Sequence, residues 1–225
     1  MKNNERIKRL VGVSILIALA IALTLISNYI PTGVVNINLV LIVIAVGACL
    51  YGPWVGLLLG LVNGVLTIIA PATLAYFFSL HPLATILLCL LKTGLAGFVA
   101  GWVFKLIKKK SEFVATVVAS LLIPIINTGL FILGVIAFFL SVYGDSVTTL
   151  LTAVLTLNFL IEFLSITIIS PVIYRIIIVI KHRYLHNEDQ TSEDQKFDDD
   201  QTSEVKTSDD DQTSEVKTSD EVQED

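Results

Sequence analysis

The sequence predicts an all-α integral membrane protein with six transmembrane helices, both termini in the cytoplasm and a disordered acidic C-terminal tail. Apolar residues make up 54% of the 225 residues and are concentrated between Leu10 and Ile180. Apolar runs of about 18 residues or more recur there, and a helix of that length crosses a bilayer core of about 30 Å. Beyond residue 187 the sequence becomes abruptly polar. We therefore predict a membrane domain at 1–187 and a tail at 188–225.

The first predicted helix runs from about Leu10 to Ile30. Basic residues precede it, as in a signal peptide, but its apolar run has about 20 residues and no small-x-small cleavage site before polar sequence. We expect a retained helix. Its stretch LIALAIALTLI (16–26) places Ala18 and Ala22 on one face. Small faces on apolar helices usually allow another helix to approach closely.

Proline and glycine separate five further predicted helices, and Pro53 suits a first-turn position. These helices are expected at 38–52, 53–70, 83–107, 113–140 and 148–180. The loops 31–37, 71–82 and 141–147 contain no lysine or arginine, whereas basic residues precede the first helix and follow the fourth and the sixth. Because positively charged loops stay in the cytoplasm, both termini are expected there and these three loops outside.

Glycines form a stripe at four-residue spacing on the third predicted helix, and a shorter one on the fourth. Such stripes let helix backbones approach closely. They predict either packing within this chain or a lipid-facing surface that awaits a partner. The glycines concerned are Gly52, Gly56, Gly60 and Gly64, and then Gly97 and Gly101.

Five polar side chains on four predicted helices are expected at similar depth, beneath the outward loops. An ionisable residue inside a membrane helix costs at least ~2.5–3.5 kcal/mol, so it is a candidate for a functional site. Lys92 and Glu162 each precede a cytoplasmic basic residue, Lys105 or Arg175, by 13 positions. That spacing places them roughly 20 Å above the cytoplasmic end. The layer comprises Asn63, Lys92, Asn127, Asn158 and Glu162.

This layer has two interpretations. In the first, Lys92 and Glu162 form an ion pair and the asparagines bridge helices, which only orders the bundle. In the second, the layer is a pocket open to the outside, where Lys92 attracts an anionic group and the other four side chains hold amides or hydroxyls. Aromatic residues at 76–78 would cap a ligand there or anchor the loop at the membrane interface.

The sequence carries no motif for ATP hydrolysis or for hydrolytic catalysis, since GxxxxGK[ST], HExxH and GxSxG are all absent. Cys49 and Cys89 lie inside apolar runs without a CxxC arrangement, which favours buried small side chains over a disulfide or metal site. We expect no enzymatic activity, no cofactor and no metal.

The membrane domain resembles the substrate-binding S components of energy-coupling factor (ECF) vitamin transporters over about residues 6–180. The resemblance implies that Ala18 and Ala22 dock on a transmembrane coupling subunit, which two cytoplasmic ATPases drive. It rests on the order of several motifs: RIKRL, the Ala18–Ala22 pair, LYGPWVGLLLGLVNG, LLKTGLAGFVAGWVFKLI, NTGLFILG, and NFLIEF followed by SPVIYRI.

The resemblance also implies high-affinity binding of a vitamin from outside a bacterial plasma membrane and its release inside as the protein topples. Lys92, the amides and the few aromatic residues suit an aliphatic anion, and the NTGLFILG and NFLIE pattern looks like the pantothenate-type branch. Two other classes stay open. One is a proton-coupled secondary transporter with Glu162 as its titrating group, and the other is a membrane assembly protein without a solute.

The tail holds 16 of the 20 acidic residues and consists largely of three 11-residue units, which start at Gln190, Gln201 and Gln212. Eleven residues can be a supercoil period, but these units have no apolar stripe. High charge and low hydrophobicity predict disorder. We expect a dispensable cytoplasmic tail, with a partner-binding or phosphorylated segment as the alternative.

Overall fold

The computed structural model describes the backbone of residues 2–29, 38–79 and 81–220, and most side chains within 6–27, 38–138 and 153–180. The described backbone is helical, which confirms the all-α prediction. The predicted loop 31–37 lies outside the described residues. The elements are α1 (Lys2–Tyr29), α2 (Val40–Tyr51), α3 (Pro53–Ile68), the short α4 (Pro71–Thr73) with a following π-helical turn (Leu74–Phe78), α5 (Pro82–Ile107) and α6 (Glu112–Asp220).

Among the described residues, four segments are long and apolar enough to span a membrane, rather than six. They are Arg6–Ser27, Pro82–Ile107, Glu112–Phe138 and Ala153–Ile180. The apolar helices α2 and α3 have 12 and 16 residues, or about 18 and 24 Å of helix. They are short because Gly52, at a φ of 95°, ends α2, and because a separate helical turn begins at Pro71. Pro53 opens α3, as predicted.

Helices that follow one another from α1 to α3 run antiparallel. The Arg9 guanidinium of α1 donates a hydrogen bond of 2.9 Å to the Tyr51 carbonyl oxygen, at the end of α2. Further along, the Leu16 side chain lies beside Gly47. The predicted hairpin of α2 and α3 is confirmed, because Gly56 of α3 packs on Ala48 of α2.

The glycines of α3 and α5 bring these two helices into backbone contact. A Cβ on Gly56 would collide with the Gly97 carbonyl oxygen, and one on Gly60 with the Thr93 carbonyl oxygen. A Cβ on Gly101 would lie 2.6 Å from the Pro53 Cα. Packing within the chain is therefore confirmed, and a lipid-facing stripe is wrong. We call these contacts the glycine seam; it comprises Gly56, Gly60 and Gly64 of α3 and Gly97 and Gly101 of α5.

The helix α6 contains both the fifth and the sixth predicted helices. The predicted loop at 141–147 is wrong, because the backbone there is helical; the segment has one glycine and no proline to interrupt it. The rings of Phe113 and Tyr174 nevertheless pack edge-on, with their centroids 5.2 Å apart. A straight helix would separate them by about 90 Å. The helical chain therefore reverses its direction between Phe113 and Tyr174, as two separate crossings require.

The tail differs from its prediction. Its backbone is helical through Asp220, whereas the composition predicts disorder; residues 221–225 lie outside the described part. No glycine or proline follows Pro171, so no residue of that kind ends the helix. Contacts divide the chain into a unit at 1–177 and a second at 178–225. The domain boundary at 187/188 stays a prediction.

The hydrophobic core of the first unit lies among α2, α3, α5 and the inner faces of α1 and α6. Its largest fully buried apolar side chains are Leu41, Ile44, Leu59, Ile123, Ile173 and Ile177. Ile44 packs against Gly97 of the glycine seam, so the apolar core and the seam hold the same helices together.

Candidate functional site

The predicted polar layer is largely buried. Asn63, Lys92, Asn127 and Glu162 are each at most 8% exposed, and Asn158 is half-buried. Asn63 lies at one end of the glycine seam, since its neighbour Gly64 packs on the Cys89 carbonyl oxygen. The other end of the seam, at Gly101, is where α1 and α5 carry basic residues. The layer therefore lies toward the end of the bundle that is remote from these charges.

Lys92 is covered by an aromatic ring that the sequence analysis missed. Its Nζ atom lies 4.0 Å from the centroid of the Phe131 ring in α6, a cation–π distance. The Phe77 ring, from the π-helical turn, packs edge-on against the same ring at 5.4 Å and 61°. Phe131 follows Asn127 by four positions and so shares its helix face. That spacing was the only sequence indication of its place.

Glu162 links α6 to the start of α2. Its carboxylate accepts a hydrogen bond from the backbone N–H of Asn38 and lies within electrostatic reach of Lys92. Backbone N–H groups at a helix start lack an acceptor within the helix, and the helix dipole favours a negative charge there. Part of the hydrogen-bonding capacity of the Glu162 carboxylate is thus used in holding α6 to the start of α2. A carboxylate has about four acceptor positions, so this bond leaves others available.

Two amides of the layer carry unpaired polar atoms. Among the described residues, neither Asn63 Nδ2 nor Asn127 Oδ1 has a hydrogen-bond partner, although both are buried. Leaving such an atom unpaired costs about 1–3 kcal/mol, so native proteins keep few of them. One of these atoms is a donor and the other an acceptor. A solute group that both accepts and donates hydrogen bonds would satisfy them.

The alanine face of α1 is uncovered. We use that name for Ala18 and Ala22, which are both exposed, whereas Ala20 between them is fully buried in the core. The face lies on the side of α1 away from Leu16, which packs on Gly47 of α2. No described residue of the chain covers the alanine face.

The two cysteines are buried and free, as predicted for small apolar side chains. Cys89 belongs to the seam through its carbonyl oxygen, which faces Gly64. Within the described residues, no three His, Cys, Asp or Glu side chains come together to form a metal site.

A family model described as the ECF transporter, substrate-specific component, matches residues 8–177. No individually curated protein matches the chain. The family match extends from α1 into the second apolar half of α6. It includes all five residues of the polar layer, both residues of the alanine face and the whole glycine seam.

Proposed function

The chain belongs to the family of ECF transporter substrate-specific components, and on this basis we propose that it binds pantothenate, or a vitamin of the same chemistry, from outside the cell. Proteins of this family bind the solute and are not enzymes, since the ATPase activity resides in partner subunits.

The observation that carries the proposal is that the polar layer holds both a buried lysine, Lys92, and two buried amide atoms without hydrogen-bond partners among the described residues. A buried charge is expensive unless a partner compensates it. Glu162 is shared with the Asn38 N–H, and the Phe131 ring covers one side of the ammonium. A solute carboxylate would give the ammonium a further anionic partner, one that is not shared with the Asn38 N–H.

The asparagines narrow the solute further. The Asn63 donor and the Asn127 acceptor suit a hydroxyl or a secondary amide, each of which donates and accepts. Pantothenate has a carboxylate, a secondary amide and two hydroxyls, and no ring that needs aromatic walls. Asn158 and the remaining acceptor positions of Glu162 complete the proposed site from α6.

We also propose six membrane crossings, with α2 and α3 as the two short ones. The contacts Arg9–Tyr51, Gly101–Pro53 and Phe113–Tyr174 join helix ends on one side of the bundle. Basic residues flank all three contacts, so the positive-inside rule favours this side as the cytoplasmic face of a bacterial plasma membrane. Both termini would then be cytoplasmic, and the polar layer would open outward.

The alanine face is the proposed docking surface for the coupling subunit. Its small side chains are exposed, while the opposite side of α1 is buried against α2 and α3. Helix packing in a membrane depends on close approach rather than on hydrophobic exclusion of water, and small residues allow that approach. Two cytoplasmic ATPases acting through this subunit would drive import.

Binding of labelled vitamins to the detergent-purified protein tests the solute. Pantothenate should bind, whereas riboflavin, thiamine, folate, biotin and pyridoxine should not. Lys92→Met should weaken pantothenate binding by about 2–5 kcal/mol, the usual cost of removing one partner of a buried charge pair. Lys105→Met, at an exposed lysine of the same helix, is the matched control and should bind normally.

A double variant separates a pocket from a structural ion pair. If Lys92 and Glu162 only stabilise each other, Lys92→Met with Glu162→Gln restores both stability and binding. A stable double variant that still binds pantothenate tightly therefore refutes the anion assignment. Uptake should require the coupling subunit and the ATPases. ATP-independent uptake by the chain alone would instead indicate a secondary transporter.

A further inference from the structure

Three side chains from three elements form a continuous stack beside the polar layer. The Lys92 ammonium of α5 lies over the face of Phe131 of α6, and the Phe77 ring of the π-helical turn packs edge-on against Phe131. We call these contacts the aromatic stack. They connect the segment that precedes α5 to the buried charge on which the solute proposal depends.

Phe131 constrains the ammonium before any solute arrives. Lysine has a long, flexible side chain, and a charge that is free to reorient loses entropy when a ligand fixes it. The negative face of the ring holds the Nζ atom at 4.0 Å from its centroid. Because the ring covers one side of the ammonium, its N–H donors remain available only on the other sides. The donors are therefore directed before binding.

Phe77 constrains Phe131 in turn. Its ring meets the Phe131 ring at 5.4 Å and 61°, within the edge-to-face geometry that aromatic pairs prefer. Phe77 belongs to the π-helical turn Leu74–Phe78. Such turns are uncommon and often lie at functional sites, since they alter the direction of side chains within a helical segment.

We propose that Phe131 and Phe77 are positioning residues of the solute site: Phe131 orients the Lys92 ammonium toward a solute carboxylate, and Phe77 fixes Phe131. This inference rests on the proposed function. It adds that aromatic side chains are required for binding the charge of the solute and not for recognising its shape. Neither residue contacts the carboxylate.

Binding of pantothenate and of its primary amide, which has the same shape without the charge, tests the inference. Phe131→Leu should weaken binding of the acid about tenfold, as expected for a buried cation–π contact, and binding of the amide less than about twofold. Phe77→Leu should weaken the acid about threefold. The double variant should resemble Phe131→Leu, because Phe77 acts through Phe131, and Phe131→Tyr should restore binding.

Phe98→Leu is the matched control. Phe98 packs edge-on against Trp54 at 5.5 Å and 68°, away from the aromatic stack, so its loss should affect acid and amide equally and weakly. Equal weakening of acid and amide by Phe131→Leu would overturn the inference and leave the proposed function intact. If Lys92→Met does not weaken the acid, the anion assignment itself is wrong.

A measurement on the solute-free wild-type protein covers the case in which Phe131→Leu does not fold. In lysine-labelled protein, the NMR resonances of the Lys92 ε-methylene should be displaced upfield by the ring current of Phe131, and this displacement should persist in Phe131→Tyr. An unshifted Lys92 resonance would show that the ring does not hold the ammonium and would overturn the inference without any binding experiment.

Discussion

The glycine seam and the alanine face have the same sequence signature, small residues four positions apart on an apolar helix, but different surroundings. In the seam, Gly56 and Gly97 bring the backbones of α3 and α5 into contact. On α1, Ala18 and Ala22 are exposed. In the apolar part of α1, 17% of the residues are buried within the chain, compared with 50% in the apolar part of α5. The same pattern therefore marks an internal contact in one region and an unoccupied surface in the other.

The type of small residue differs as well. Glycine occurs where the partner is a backbone carbonyl and even a Cβ would collide, as at Gly60 and the Thr93 carbonyl. Alanine occurs where the helix must be stable without that contact, since alanine has the highest helix propensity and glycine loses about 1 kcal/mol in comparison. A surface that binds a partner only part of the time can retain alanine.

The largest effect is expected from filling the seam. Gly97→Leu places a Cβ against the Gly56 carbonyl oxygen, and no rotamer relieves a clash at Cβ. We expect destabilisation of about 3 kcal/mol or more, measured as loss of monodisperse protein and a lower thermal midpoint in detergent. The control is Gly129→Ala, where a Cβ meets nothing within 4 Å and the midpoint should not fall. A normally folded Gly97→Leu protein would contradict the seam.

Filling the alanine face should remove assembly rather than folding. Ala18→Trp with Ala22→Trp should reduce co-purification with the coupling subunit about tenfold or more, the equivalent of at least about 1.4 kcal/mol of contact energy. Solute binding and thermal midpoint should be retained. The control Ala20→Trp, at a fully buried position between them, should lower the thermal midpoint. Normal assembly of the double variant would assign the face to lipid.

Two single-methyl substitutions should distinguish backbone from side-chain partners within the seam's own helices. Gly60→Ala meets the Thr93 backbone, whereas Gly94→Ala meets the Leu61 Cδ2 atom at 3.2 Å, which can move. We expect a cost of about 2 kcal/mol for the first and under about 1 kcal/mol for the second. Parallel chemical denaturation in detergent would measure both. Equal midpoints would show that backbone contact does not limit the seam.

The smallest effect is expected from the tail, which contributes to neither stripe. Deleting residues 188–225 should leave solute uptake within about twofold of the full chain at equal expression, because the segment has no apolar stripe to bury. A complete loss of uptake would show that the tail has a role in assembly or in regulation.

Much of the helix pattern followed from proline and glycine. Pro53 and Gly52 placed the junction between α2 and α3, and the basic run after Ile107 placed the end of α5. The predicted break at 141–147 and the predicted disorder of the tail are not observed, since both segments are helical. Composition measures polarity and not whether a helix is interrupted. Six helices of membrane-spanning length were predicted and four are observed among the described residues. The turns at Gly52 and Pro71 make α2 and α3 shorter than the four long apolar segments.

The candidate site was predictable only in part. Charge inside an apolar run identified Lys92 and Glu162, because such residues are costly in a membrane. Their partners were not identifiable, since an apolar helix does not reveal which face meets which neighbour. Phe131 resembles any other phenylalanine in the sequence, and the bond from Asn38 to Glu162 joins positions that are far apart in the chain.

The four-residue spacing of the seam has a consequence for how the helices find their alignment during folding. Sliding α5 by four residues, about 6 Å, would again set glycine against glycine, with Gly56 opposite Gly101 and Gly60 opposite Gly97. The seam alone thus allows two nearly equivalent registers. The Gly52 turn, where φ is 95°, and the match of Lys92 to Phe131 select one of them. A chain that lacks either anchor is expected to populate a slipped, kinetically trapped form.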